Sequence, residues 1–323
     1  MITIYSILTS VLIVSILFIL FTFVENSDFI IKNVSLILIQ IFLILILLRT
    51  YLPIEIENYT IFVNLFIFFS KIESVLFYNF LRTSNNLNIT TANIFFVVWI
   101  VKFTQNTFSF FHRYIKIICV IKSIPETKNE QVLTILEELK LNYKFKHKIK
   151  IIIDKNIDVP QEMGIFRQTI FLPKENYSDE KLRYILLHEL YHYKNLSNII
   201  KFVVVSLKSI FWWNPLYFNF VKAVNAIMEI NCDNFIARRT NRQEKFKYIE
   251  CILDVSKTAS DHIDNEFATF MSNSKTEVFL KRRFNLILYK EKDSKIFNII
   301  FSLLLAVLFL LSYKIVLQKG VSH

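Results

Sequence analysis

The stretch YILLHELYHYKN, Tyr184 to Asn195, holds three residues whose types and spacing suit one kind of chemistry. His188 and His192 stand four apart, so on an α-helix they share a face one turn apart and can aim two imidazoles at one ion. Glu189 then sits beside that ion without ligating it, where it can polarise a metal-bound water. A catalytic zinc takes three protein ligands and keeps a fourth position open. The reading therefore requires a third ligand among Cys, His, Asp or Glu. Random placement would produce H-E-x-x-H about once in 160 chains of this composition, so the match gains its force from its context on a helix. The plain alternative is two histidines that share a helix face and hold nothing.

A third ligand is available downstream. Val221 to Arg238 (VKAVNAIMEINCDNFIAR) reads as a helix on which Glu229 and Asp233 share a face. Glu229 can close a site of two His and one Glu, with Asp233 hydrogen-bonding a ligating histidine. Cys232 points elsewhere on this helix and could serve only in a different register. A solvated acidic pair is the other reading.

These elements sit in an apolar chain of 323 residues, 54% hydrophobic, with 2 Gly and 5 Pro. So few turn-formers favour long helices, and a bilayer span needs about 20 apolar residues. Four runs are read as spans: Met1 to Val24, Val34 to Pro53, Ala92 to Cys119 and Ile296 to Leu317. The first lacks a basic start and a small-residue cleavage site, so it reads as an uncleaved anchor. Ile61 to Phe69 and Ile199 to Phe220 read as helices lying at the membrane or buried in protein. Between Lys116 and Asp293 fall 29 basic and 22 acidic residues, a net +7. Arg113, Lys116 and Lys122 after the third span, and Lys290, Lys292 and Lys295 before the fourth, place this insert in the cytoplasm and both termini outside. The excess charge reads as a surface beside anionic lipid rather than one for nucleic acid. Cys119, Cys232 and Cys251 form no C-x-x-C pair, which fits reduced cytosolic thiols.

Within the insert, residues 126 to 148 repeat apolar residues at helical spacing, with Val132, Ile135, Leu136 and Leu139 on one face. Lys150 to Asp154 reads as a strand. Pro160 to Pro173 reads as a turn followed by a strand from Ile165 to Leu172. Ser178 opens S-D-E-K, an N-cap with acids in the first turn, for a helix from Asp179 to about Asn195.

GIFRQTIFLP, LLHELYHYKN, FWWNPLYF and MEINCDNF occur in that order, and together they resemble the BlaR/MecR-type membrane metallopeptidases, the beta-lactam-sensing signal transducers of bacteria. The resemblance covers nearly the whole chain. It implies His188 and His192 as zinc ligands, Glu189 as catalytic base, Glu229 as third ligand and Asp233 as the aspartate of an E-x-x-C-D signature. The family's pattern has proline where Gln168 stands, and often an acid shortly after the metal helix, where this chain has Asn195, Ser197 and Asn198. About six residues follow the fourth span, so no extracellular penicillin-binding domain is expected and the sensing function is not carried over.

The expected architecture is mainly α: a polytopic membrane protein with four transmembrane helices and a cytoplasmic α+β, zincin-like domain before the last. Residues 1–119 form the membrane domain, 120–294 the protease domain, and 295–323 the last span with a short tail. The expected activity is zinc-dependent endoproteolysis at a gluzincin-like site with one Zn2+, in a bacterial cell membrane. Its substrate would be a cytosolic repressor-like protein and, at the basic stretch holding Arg282 and Arg283, the chain itself. That stretch also reads plainly as a juxtamembrane cluster fixing topology. The Ile165–Leu172 strand, with Ile165, Arg167 and Thr169, could be an edge that pairs with an extended peptide, or an internal strand. Tyr191, Tyr193 and His262 are candidates to stabilise an oxyanion. Two other readings stay open: a processing protease for a small peptide precursor, and a non-catalytic membrane scaffold. A homodimer is left open too.

Overall fold

The computed structural model describes residues 4–52, 61–64, 74–75, 78–82, 88–164, 168–260, 277–290 and 293–318. They separate into two compact units. One comprises residues 1–110, 206–220 and 293–323, and the other 111–205 and 221–292. Relative to the boundaries read from the sequence, the main difference is the segment 206–220, which joins the unit built from the chain's apolar ends.

In the first unit, α1 (Ile4–Asn26), the short α2 (Asp28–Asn33) and α3 (Leu36–Tyr51) follow one another. Ser27 ends α1 and starts α2, its hydroxyl accepting from the Ile30 N–H. Strand β1 (Ile61–Asn64) pairs in parallel with the C-terminal strand described below. That corrects the helix expected from Ile61, while residues 65–69 of that run lie outside the described residues. Strands β2 (Asn79–Arg82) and β3 (Asn88–Thr90) form an antiparallel pair and lead into the 33-residue α4 (Thr91–Ser123).

Among the described residues, three helices are long and apolar enough to cross a membrane: Leu8–Asn26, Thr91–Ser123 and Lys295–Lys314. The second expected span is α3, of 16 residues. At 1.5 Å per residue it is about 24 Å long, short of the roughly 30 Å hydrocarbon core. It buries Leu36, Ile39, Leu43 and Ile46 at helical spacing and exposes Ile37, Ile41, Ile44 and Leu48 on the other side. Apolar residues all round are expected of a helix whose surroundings are themselves apolar. Arg49, 1% exposed, donates from Nε to the Ser312 carbonyl at 3.0 Å and from its Nη2 to Ser10 Oγ at 3.2 Å. Its guanidinium also lies over the Tyr313 ring, 4.9 Å from the centroid.

The second unit takes in the C-terminal part of α4 and then α5 (Glu130–Tyr143), capped by the Asn129 side chain. Its buried face is Val132, Ile135, Leu136 and Leu139, as the periodicity predicts. With few glycines in the chain, the left-handed position after α5 is filled by Lys144, at φ 57°. The sheet follows: β4 (Lys150–Asp154), β5 (Gln161–Met163) and β6 (Thr169–Pro173), in the order β4-β6-β5. β6 is central, parallel to β4 and antiparallel to β5. Its Ile170 and Leu172 pack with Leu186 and Leu190 of α6 (Asp179–Lys194) in the main core. The opposite face joins Ile152 and Phe171 with Met163.

After α6 come α7 (Ser197–Ser206), α8 (Lys208–Phe211), α9 (Pro215–Ala237), α10 (Arg242–Ser260) and α11 (Glu277–Tyr289). The last helix, α12 (Lys295–Lys314), ends in β7 (Ile315–Gln318), the partner of β1. The fourth expected span thus keeps its start and gives its last residues to a strand.

Candidate metal centre

Two helices supply the site. Ser178 caps α6 by accepting the Lys181 N–H at 3.3 Å, and Asp179 and Glu180 complement the helix N-terminus. Leu182, Ile185, Leu186 and Leu190 sink one face of α6 into the core. The turns that carry His188, Glu189 and His192 are thereby fixed. On α9 the buried Ile227, Met228 and Ile230 set the rotation that brings Glu229 and Asp233 to the same place.

His188 Nε2 and His192 Nε2 lie 3.1 Å apart. Glu229 spans them, with Oε2 3.4 Å from His188 Nε2 and Oε1 3.4 Å from His192 Nε2. Corners of a tetrahedron around an ion with bonds of ~2.0–2.1 Å are about 3.3–3.4 Å apart. The two Nε2 atoms, and each of them with the Glu229 oxygen that faces it, are therefore separated by about one tetrahedral edge, and the residues fit a small divalent ion.

The hydrogen bonds behind the imidazoles select the donor atoms. Tyr248 donates its hydroxyl hydrogen to Asp233 Oδ1 at 2.8 Å, so its oxygen accepts from His188 Nδ1–H, also at 2.8 Å. His192 Nδ1 faces Cys232 Sγ at 3.3 Å. With Nδ1–H of His188 donating to Tyr248, its Nε2 is the nitrogen left to a metal, and His192 turns its own Nε2 to the same place. Asp233 thus reaches His188 through Tyr248, its own oxygen being 3.8 Å from His188 Nδ1. Arg283 on α11 holds Asp233 in turn, Nε to Oδ2 at 2.6 Å and Nη2 to Oδ1 at 2.8 Å, and its Nη1 lies 3.5 Å from Glu229 Oε2.

Cys232 also lies close enough to the two imidazoles to be considered as a ligand. It stands behind the His192 ring, on the Nδ1 side, and burial with the charges of Glu229 and Asp233 pushes its thiol well up. A neutral thiol on the far side of the ring is a poor ligand, and Glu229 is the third donor that the geometry favours.

The electrostatics suit metal and base. Burial pushes the Glu189 carboxyl up to about 7; the His188 charge works against this and the Glu229 charge adds to it. A base poised near neutrality is the useful kind. Burial holds His192 down to about 4. Burial also works against charge on His188, but the Glu229 carboxylate outweighs it and raises that imidazole. Glu229, although buried, is held well below the carboxylate range by His192, His188 and Arg283.

The structure thus brings together five residues read from the sequence: His188, Glu189, His192, Glu229 and Asp233. The other candidates fare differently. Thr169 lies in the central strand, paired on both sides, so it cannot pair with a peptide; the two edges are β4 and Gln161–Met163, the latter taken for a turn in the sequence reading. Ile165 and Arg167 lie outside the described residues, as does His262. Arg283 is 8% exposed inside a helix and bound to Asp233, a different use from the cleavage point raised for it. Arg282 precedes it in the same helix. Two residues went unnoticed in the sequence, Tyr248 and the latching role of Arg283. A signal for the latter existed: Arg283 shares a helix face with Leu286 and Ile287, and a charge on an apolar stripe needs a buried partner.

Such a site, on a helix–sheet scaffold in a chain with membrane-length helices, defines a membrane protein of the metallopeptidase class. The family model described as BlaR1 peptidase M56 matches residues 78–287, well over half of the chain, and the chain belongs to that family. It is 27% identical over 220 residues to the regulatory protein BlaR1 of Bacillus licheniformis, covering 66% of this chain and 37% of that protein. It is 35% identical over 130 residues to a methicillin resistance mecR1 protein of Staphylococcus aureus, covering 39% of this chain and 22% of that one. The regulatory protein BlaR1 of Staphylococcus aureus is 28% identical over 229 residues, 67% of this chain and 38% of the relative. The chain thus spans between about a fifth and two fifths of these relatives' length.

Proposed function

We propose that the chain is an integral-membrane zinc endopeptidase with a regulatory role. His188, His192 and Glu229 hold one Zn2+, and Glu189 is the general base. The observation that carries the proposal is the triangle of two Nε2 atoms and the Glu229 carboxylate at tetrahedral spacing, with Glu189 one residue from His188. Zinc, when bound, supplies Lewis acidity to the attacking water and to the scissile carbonyl. Glu189 takes the proton of that water at its carboxylate and passes it to the leaving amine. Asp233, through Tyr248, keeps His188 in the tautomer the metal needs, and Arg283 holds Asp233 in place.

The regulatory role rests on the likeness to the two regulatory proteins BlaR1, and the substrate it implies is a cytosolic repressor-like protein. The basic residues flanking the third and fourth apolar runs support a cytoplasmic site and four spans, with α3 as the second. Cleavage beside Arg282 and Arg283 is no part of the proposal. A scissile bond there would first require α11 to unwind and Arg283 to leave Asp233.

The test is metal analysis with a proteolysis assay on wild type, His188→Ala, Glu229→Ala and Glu189→Ala. The first two variants lose zinc. Glu189→Ala keeps it and loses about 10²–10⁴-fold in rate. Equal metal content in all four proteins would end the proposal.

A further inference from the structure

We propose that Glu162 is a specificity residue that receives a cationic nitrogen of the substrate, from a lysine or arginine side chain or a free α-amino group, next to the scissile bond. The inference rests on the peptidase reading above and extends it to the substrate class.

The first observation is position. Glu162 is the middle residue of β5, an edge strand, whose outer side is unpaired among the described residues. It pairs with Ile170, so its side chain shares the sheet face on which Ile170 meets Leu186 and Leu190 of the metal helix. Met163 turns to the opposite face. Glu162 and Glu189 lie close enough for each to act on the other's carboxyl, which places the strand beside the catalytic base. An extended peptide added to this edge would run past Glu189, as edge-strand recognition requires.

The second observation is an unmet need. Both carboxyl oxygens of Glu162 are shut off from solvent and lack a hydrogen-bond partner among the described residues. Asn198 is the amide that lies beside this carboxyl, and its Nδ2 donates to the Gly164 carbonyl at 3.3 Å. Burial, with Glu189 nearby, pushes the Glu162 carboxyl up to about 9, and the Lys201 charge offsets only part of this. A buried acceptor without a donor is destabilising, and a ligand donor would remove that cost. In a chain of net charge +11, two adjacent carboxyls form a local exception that favours a cation. The route to Glu162 is the route to Glu189, which any peptidase reading already requires to open.

The test uses the full chain with zinc in zwitterionic nanodiscs, and peptides in which a single lysine or the isosteric norleucine is stepped along the positions flanking the cut. Each peptide is made with a free and an acetylated N-terminus. At one position wild type should prefer lysine by about ten-fold or more in kcat/KM. Persistence of that preference after acetylation assigns the side chain; a preference that instead follows the free terminus assigns the α-amino group. In Glu162→Gln the ratio should fall to within about two-fold of unity, whatever the absolute rate. A wild-type ratio near one at every position with both termini, or a ratio unchanged in Glu162→Gln, would overturn the proposal. Fluorescence anisotropy of the labelled peptides on Glu189→Ala protein reads the same ratio without turnover. Preference kept in binding without any cleavage by wild type would sink the peptidase reading alone; loss of both would sink both.

Discussion

The two sides of Glu189 are built differently. Behind the histidines lies a chain of matched groups: Arg283 to Asp233, Asp233 to Tyr248, Tyr248 to His188, and Cys232 to His192. In front, along β5, Glu162 presents two oxygens that nothing described satisfies. A completed network resists change and fixes a geometry. An incomplete one loses stability until a partner arrives. The first arrangement suits holding an ion, and the second suits meeting a substrate.

Breaking the completed side has the largest expected effect. Arg283→Met leaves the buried Asp233 charge unpaired, which costs about 3–5 kcal/mol. Urea unfolding of the second unit should show the loss, and a cost below about 1 kcal/mol would mean that Asp233 finds another partner. Tyr248→Phe is gentler. It removes the link between Asp233 and His188 while keeping the ring, and zinc affinity should fall about 10–100-fold in competition with a chelator. Unchanged affinity would show that the tautomer is fixed some other way.

The incomplete side predicts the opposite sign. Glu162 has its folded pKa raised to about 9 from an unfolded 4.5, so its stabilising neutral form is fully present below pH 4.5. That contribution is lost as pH rises through the folded value. Glu162→Gln should therefore raise Tm by a few degrees at pH 8 and leave it nearly unchanged at pH 4.5. Equal shifts at both pH values would sever the effect from ionisation. The smallest effect belongs to a position outside both sides. Lys144→Gly, at the left-handed residue after α5, should stabilise by about 0.5–1 kcal/mol and leave zinc affinity untouched.

Much of the holding side was legible in the sequence because its signals are local. Ser178 with its acids marks the start of α6, the i,i+4 spacing aligns the histidines, and the same spacing pairs Glu229 with Asp233. What joins these helices to their support is not local. Tyr248 lies 60 residues from His188, and Arg283 lies 50 from Asp233. Only tertiary packing makes them neighbours. The edge strand escaped for a different reason: three residues between Pro160 and Gly164 carry too little periodicity to tell a strand from a turn. In the apolar runs, hydropathy located the helices, while their ends at Ile61–Asn64 and Ile315–Gln318 form strands through a pairing that no local pattern announces.

Arg49 has a consequence for biogenesis. The carbonyl that accepts from its Nε belongs to Ser312, 263 residues further along the chain. When α3 leaves the ribosome that acceptor has not been translated, and a bare guanidinium is costly inside a bilayer. With α3 in a bilayer, water or lipid headgroups would have to shelter it until α12 is made. Synthesis of α12, rather than that of the earlier helices, would then be the moment at which Arg49 gains this partner.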